Sequence, residues 1–200
     1  MKHLLIITGL GVALAAPLCA SAESVDVATL SESKVALQEV ATKAEGKAFL
    51  AVTLINAPMA RLCAIIQDYA AYPGFMPSVS KTVVTRGSSS DTLVDMSLKL
   101  PLGKTKQYRL KMTPATTPQQ CRLAWKLVPT PGLKPEETIA DTDGYWQLAP
   151  AANGRTAVQY YVYTNPGPVP LGAGWIVESM SKDSLPKTLE ALRAKAAQQH

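Results

Sequence analysis

Between residues 78 and 164, apolar and polar side chains alternate with a period of two, and turn residues interrupt the alternation at intervals. The alternating segments are 78–86, 92–100, 106–112, 121–128, 144–148 and 156–164. Breaks such as Gly87-Ser88-Ser89-Ser90 and Asn153-Gly154 contain residues that tight turns favour. Because short connections join antiparallel neighbours, the pattern predicts an antiparallel meander.

The clearest of these strands have one apolar face and one charged face. The apolar face carries Val94, Met96, Leu98 and Leu100, then Tyr108, Leu110 and Met112, then Cys121, Leu123, Trp125 and Leu127. The opposite face carries Asp95, Lys99, Arg109, Lys111, Arg122 and Lys126. We therefore expect a sheet that is solvated on one face and covered on the other.

Two further strands and a helix are predicted ahead of the meander. A short alternation over Val35–Thr42 indicates one strand, and the segment KAFLAVTLINA, residues 47–57, indicates a second. Pro58 then precedes MARLCAIIQDYA, in which Met59, Leu62, Cys63, Ile66 and Tyr69 recur at helical spacing. Proline is tolerated in a first turn, so this segment predicts a helix of about three turns.

The cover for the apolar face is predicted at the C-terminal end. After the Pro- and Gly-rich segment NPGPVPLGAG, a helical stretch runs from about Trp175 to Ala197. Its apolar stripe consists of Ile176, Met180, Leu185, Leu189, Leu192 and Ala196. Pro186 interrupts the stretch, which predicts either a kink or a new helix that begins at a cap on Asp183 or Ser184.

The first 22 residues have the pattern of a secretory signal peptide. The uncharged apolar run Leu4–Leu18 leads to Ala20-Ser21-Ala22, whose small side chains suit a signal peptidase. We expect cleavage before Glu23, a flexible lead-in over residues 23–33 and one domain over residues 34–197, located in the periplasm. A lipoprotein modified on Cys19 is the alternative, but Leu18 stands where such sites need a small residue. No later apolar stretch reaches the length of a transmembrane helix.

Charge and histidine content exclude several classes of function. The formal net charge is +5, and the basic residues are scattered singly through the strands, which favours a solvated sheet face over a nucleic-acid surface. The only histidines are His3, in the predicted signal peptide, and His200. Catalytic triads, histidine-assisted cysteines and zinc hydrolase sites all need an imidazole within the fold. We expect no metal and no cofactor.

Two cysteines remain beyond the signal peptide, Cys63 and Cys121. An export compartment permits them to form a disulfide, and a bridge that closes so long a loop contributes roughly 4 kcal/mol in the chain-entropy model. Two separately buried thiols are the other interpretation. The sequence leaves both open.

Motifs near the first helix and in the last elements carry a family resemblance. They are Asp68-Tyr69, Tyr72-Pro73, Phe75 and Met76-Pro77 after the helix, then Gly144, Trp146 and Leu148, and finally LPKTLEALR, residues 185–193. Over residues 45–196 the chain resembles the START-like (SRPBCC) superfamily, which includes lipid-transfer domains, coenzyme Q-binding proteins and polyketide cyclases. The resemblance implies an α+β helix-grip fold, in which a curved antiparallel sheet wraps the long C-terminal helix around an apolar cavity. The export signal and the strand near Val35 depart from the cytosolic and mitochondrial members.

The resemblance and the apolar faces together predict the ligand site. Candidate ligand-binding residues are Phe75, Met76, Met96, Leu98, Tyr108, Leu110, Met112, Trp125, Trp146, Tyr160 and Met180. Phe75 and Met76, in the turn after the helix, are candidates for an entrance gate. Alternation sends Tyr160 to one face of its strand and Tyr161 and Tyr163 to the other.

We expect an exported, non-enzymatic protein that binds or transports an apolar small molecule or lipid and that makes a transient contact with a membrane surface. A cyclase- or aromatase-like enzyme and a partner-binding envelope protein with a closed core are the alternatives. Asp68 is expected to end the helix and cap the next turn, with a general base as the less favoured role. The acidic group Glu136, Glu137, Asp141 and Asp143 lacks calcium-loop spacing and is expected to be solvated.

Overall fold

The computed structural model describes residues 29–86, 92–100, 103–168 and 174–198, and the side chains of the last segment from residue 182 onward. Within these residues eight strands form one antiparallel sheet in the order β1-β2-β8-β7-β6-β5-β4-β3. The strands are β1 Ala36–Val40, β2 Lys47–Ile55, β3 Val79–Arg86, β4 Thr92–Lys99, β5 Thr105–Thr117, β6 Gln120–Val128, β7 Asp141–Pro150 and β8 Thr156–Asn165. The helices are α1 Met59–Gln67 and α2 Gly174–Gln198, and short 3-10 turns span Tyr69–Gly74 and Ala152–Gly154. The predicted signal peptide lies outside the described residues.

The predicted meander is confirmed from β3 to β8, and β8 returns to pair with β2. Strand β5 is longer than its alternation indicates, because it continues through Pro114 to pair with Leu123 of β6. The last β4 partner of β5 is Met112. Beyond that point β5 pairs with only one of the described strands, and an edge position tolerates a proline that has no N–H to donate.

Helix α2 covers the concave face of the curved sheet. Its described apolar stripe, Leu185, Leu189, Leu192 and Ala196, is buried. The helix is continuous from Gly174 to Gln198, so Pro186 lies inside it and does not start a new helix. The hydroxyl of Thr188, one turn beyond Ser184, donates to the Ser184 carbonyl at 2.8 Å. No helix in the described segments is long and apolar enough to cross a membrane.

Helix α1 is tied to the sheet by a disulfide. The sulfur atoms of Cys63 in α1 and Cys121 in β6 are 2.03 Å apart. Cys63 lies on the buried face of α1 with Leu62 and Ile66. The structure therefore decides between the two interpretations that the sequence left open. Because the bridge joins positions 58 apart in sequence, it restricts a large part of the unfolded chain.

The N-terminal strand predicted near Val35 is present as β1, which pairs along its whole length with β2. The residues just before it are also anchored. Ser31, at the end of the expected lead-in, accepts hydrogen bonds from the backbone N–H of Leu54 and from the Thr53 hydroxyl. The described part of the lead-in therefore packs along the sheet from Ser31 onward.

Candidate ligand-binding site

A cavity of about 290 Å³ lies between the concave face of the sheet, the turn after α1 and helix α2. The predicted site residues that line it are Met76, Met96, Leu98, Tyr108, Leu110, Met112, Trp125, Trp146 and Tyr160. Strict alternation explains why these side chains meet, because residues of equal parity in β4, β5 and β7 share the inner face. Tyr160 faces the cavity while its neighbour Tyr161 stacks on Tyr145, on the outer face.

Two predicted site residues lie elsewhere. Phe75 lines a separate depression of about 140 Å³ with Asp68 and Lys195, and its ring packs edge-on against Tyr72 at 5.8 Å. Phe75 is therefore not among the described residues that line the main cavity, whereas the neighbouring Met76 is. Met180 belongs to the part of α2 whose side chains lie outside the description.

Three aromatic rings form one wall of the cavity. The rings of Trp146 and Tyr160 stack with centroids 3.9 Å apart and planes 16° apart, and Trp125 lies 5.7 Å from Tyr160. Gly144 makes this arrangement possible. A Cβ atom at that position would clash with the Trp125 ring and with the carbonyl oxygen of Tyr161. The glycine therefore lets the indole of Trp125 lie across β7.

Two phenols face the interior of the cavity. Tyr108 is 9% exposed, and burial raises its pKa; burial, and secondarily the proximity of Tyr108, raises the pKa of Tyr160. Both groups therefore keep their protons at physiological pH and remain hydrogen-bond donors. Neither hydroxyl forms a hydrogen bond with another described residue.

One end of the cavity is polar, and sequence reasoning missed it. Its polar side chains are Lys47, Lys106, Thr142 and Thr164. The ammonium group of Lys106 donates to the carbonyls of Thr138 and Pro166, and burial lowers its pKa, partly offset by Glu136. The alternation along β5 could have revealed this end, because Lys106 has the same parity as Tyr108, Leu110 and Met112 and therefore lies on the inner face.

The remaining charged groups of this end are paired or solvated. Lys47 forms an ion pair with Glu39 at 2.6 Å. The acidic group Glu136, Glu137, Asp141 and Asp143 is exposed, as expected from the sequence. No group of three or more potential metal ligands is assembled among the described residues.

Asp68 ends α1, as predicted, but its carboxylate caps nothing. The residue follows the last turn of the helix and precedes the 3-10 turn, and no hydrogen bond joins its side chain to the N–H groups of that turn. Asp68 occupies the N-cap position of the 3-10 turn, but the predicted side-chain cap is absent, and the residue lines the depression that Phe75 and Lys195 also line.

Solved structures share this architecture. The STAR-related lipid transfer protein of Xanthomonas axonopodis (fragment 25–204) is 17% identical, with a TM-score of 0.70 over 82% of this chain and 93% of the other. Human StAR-related lipid transfer protein 5 is 10% identical, with a TM-score of 0.71 over 82% of each chain. The Zhui aromatase/cyclase of Streptomyces sp. R1128 is 12% identical, with a TM-score of 0.60 over 81% of this chain and 94% of the other.

No protein-family model matches the sequence, and no curated protein matches it. At these identities the structural likeness concerns the fold and not the ligand or the activity. The eight-stranded sheet, the covering α2 helix and the cavity between them agree with the motifs that predicted this architecture. The chain therefore has the START-like helix-grip fold.

Proposed function

We propose that this protein binds an apolar small molecule or lipid in its cavity and carries it without transforming it. The observation that carries the proposal is the cavity of about 290 Å³ with aliphatic, methionine and aromatic walls. Ligand sites are typically concave and mostly apolar, with a few polar groups that orient the ligand. A ligand that buries about 300 Å² of apolar surface gains on the order of 7 kcal/mol before the costs of association.

The similar structures support binding without deciding the chemistry. Two of them are named as lipid transfer proteins and one as an aromatase/cyclase. An enzyme of the second kind needs acid and base groups that converge on its substrate. The described cavity wall includes no carboxylate and no imidazole, Lys47 is paired with Glu39, and Lys106 donates to backbone carbonyls. This lining favours a carrier over a cyclase.

The proposal includes export to the periplasm. The signal-peptide pattern of residues 1–22 supports it, and the Cys63–Cys121 disulfide suits an oxidising compartment. Intact mass of the protein purified from the periplasm should correspond to a chain that begins at Glu23. A lipid-modified Cys19 or an uncleaved chain would contradict the export step. Thiol labelling of the unfolded, unreduced protein should label neither Cys63 nor Cys121.

Native mass spectrometry of the protein from its own envelope tests the carrier function directly, because a retained ligand adds its mass. Apolar probes should also raise the melting temperature of the delipidated protein, by an amount that grows with the logarithm of probe concentration once it exceeds Kd. A polyketide-like substrate should be recovered unchanged after incubation. If apolar probes at high concentration neither bind nor stabilise the protein, a partner-binding protein with a closed core becomes the better interpretation. Turnover of the substrate would favour the enzyme.

A further inference from the structure

The two phenols in the cavity lack the hydrogen bonds that buried hydroxyls usually make. Tyr108 is buried and Tyr160 is partly buried. Tyr72 and Tyr163 are buried as well, and each donates to a backbone carbonyl, of Ile66 and Glu45 respectively. Tyr108 and Tyr160 form no such bond with any described residue, although both line the cavity. Most buried polar side chains in proteins are satisfied. Tyr69 is also buried without a hydrogen bond to a described residue, but it does not line the cavity, whereas the Tyr108 and Tyr160 hydroxyls face the ligand space.

The two hydroxyls belong to one cavity, and the ring of Tyr160 is held in place. Tyr108 projects from β5 and Tyr160 from β8, and both side chains line the same cavity between the sheet and α2. The Tyr160 ring is held between Trp146 and Trp125. A ring packed in this way loses little further freedom when its hydroxyl binds a ligand, so the Tyr160 donor is preorganised.

Their surroundings favour a neutral acceptor. The neighbouring cavity residues Leu110, Met112 and Met96 are apolar. Lys106, two residues before Tyr108 on the same face, already donates to the carbonyls of Thr138 and Pro166. A neutral acceptor beside the phenols therefore costs less to desolvate than an ionised group does. A carbonyl oxygen has two lone pairs and is able to accept from two donors at once.

We propose that the ligand carries a carbonyl oxygen, as in a ketone or an ester, which accepts hydrogen bonds from Tyr108 and Tyr160, so that the protein selects carbonyl-bearing apolar molecules over hydrocarbons. This inference rests on the proposed carrier function and names its ligand class. A site with buried donors discriminates against an analogue that lacks the acceptor, because the donors are then left unpaired. Each hydroxyl is expected to contribute roughly two- to tenfold in affinity.

Two probes with the same number of non-hydrogen atoms test the inference: methyl nonyl ketone, which has the acceptor, and n-dodecane, which lacks it. Trp125 and Trp146 line the cavity, so tryptophan fluorescence of the full protein reports binding of each probe. Wild type should bind the ketone more tightly than the alkane, by roughly four- to hundredfold for two hydroxyls. Tyr108→Phe and Tyr160→Phe should each lower the ratio of ketone to alkane affinity by roughly two- to tenfold, because the ketone loses a donor and the alkane no longer strands one.

Tyr163→Phe is the matched control, since it removes a hydroxyl that bonds to Glu45 and does not line the cavity. It should lower the melting temperature and leave the ratio of the two affinities unchanged. The empty Tyr108→Phe and Tyr160→Phe proteins should melt at or above the wild-type temperature, because they lose no bond between described residues. Equal binding of both probes in all variants would overturn the carbonyl site and leave the carrier function standing. Binding of neither probe would overturn both.

Discussion

Strands β7 and β8 carry an aromatic pair on each face, and the two pairs differ in what completes them. On the outer face Tyr145 and Tyr161 stack at 5.3 Å, and the guanidinium of Arg122 lies 3.9 Å from the centre of the Tyr145 ring. On the inner face Trp146 and Tyr160 stack at 3.9 Å and border a cavity. Each pair consists of direct cross-strand partners, so the register alone produces both.

On the outer face, polar side chains bond to one another, whereas on the inner face the two phenols do not. Arg122 also donates to the Gln147 side chain at 2.8 Å, and Arg109 forms two bonds to Asp95 at 2.6 and 2.9 Å. The inner face keeps apolar surface around open space, and its two phenols have no hydrogen-bond partner among the described residues. We therefore expect ligand binding at the inner face, where the sheet presents hydroxyl groups that the described protein groups do not bind.

The largest expected effect follows from placing a charge on the inner face. Met96→Lys buries an ammonium group in the apolar wall, which costs several kcal/mol without a partner and should weaken probe binding by on the order of a hundredfold. Ser97→Lys, one residue along β4 on the outer face, should bind as the wild type does. Fluorescence titration with methyl nonyl ketone measures both variants, and circular dichroism checks their folding. An equal loss of ketone affinity in the two variants would contradict the assignment of ligand binding to the inner face.

Gly144→Ala breaks the packing that joins the two faces. The added methyl group meets the Trp125 ring on the inner face and the Tyr161 backbone, so overpacking should lower the free energy of unfolding by about 1–3 kcal/mol. Gly74→Ala is the control, because a Cβ there meets open space. Denaturant unfolding compares the variants. An unperturbed Gly144→Ala protein would show that Trp125 has room to move.

Alkaline pH should act through the inner phenols. Burial raises the pKa values of Tyr108 and Tyr160 above the ordinary 10.0, so above pH 10 the unfolded chain loses protons that the folded chain keeps. Stability should therefore fall as pH rises, by about 1.4 kcal/mol per pH unit for each such tyrosine. Unfolding of the wild type and of the Tyr108→Phe variant between pH 9 and 11 tests this. The variant should have the shallower slope, and identical slopes would place the Tyr108 hydroxyl in contact with solvent.

Arg122→Met should produce the smallest effect. It removes the cation–π contact with Tyr145 and the bond to Gln147, and an exposed contact of this kind is worth about 0.5–1 kcal/mol. Ligand affinity should not change, because Arg122 lies outside the cavity. Lys126→Met, at an exposed position of the same strand, controls for the loss of a positive charge. A change in ligand affinity for Arg122→Met alone would show that the two faces are coupled.

Much of the site was predictable because alternation is a local property. The parity that groups Met96, Tyr108 and Trp125 on one face depends only on successive residues, and it needs no knowledge of the strand order. The same rule applied to Lys106 would have found the polar end. The predicted outer face includes Lys99, Arg109 and Lys111 and leaves Lys106 unassigned, although its parity matches that of Tyr108.

The sequence by itself determined the strands, the covering C-terminal helix and the apolar inner face, since periodicity and turn chemistry act over a few residues. Only the tertiary structure decided the Cys63–Cys121 bridge, the separation of Phe75 from Met76 and the open hydroxyls of Tyr108 and Tyr160. Each of these depends on distances between residues far apart in the chain. Such distances follow from sheet register and from how closely α2 packs on the sheet, and no local pattern encodes them.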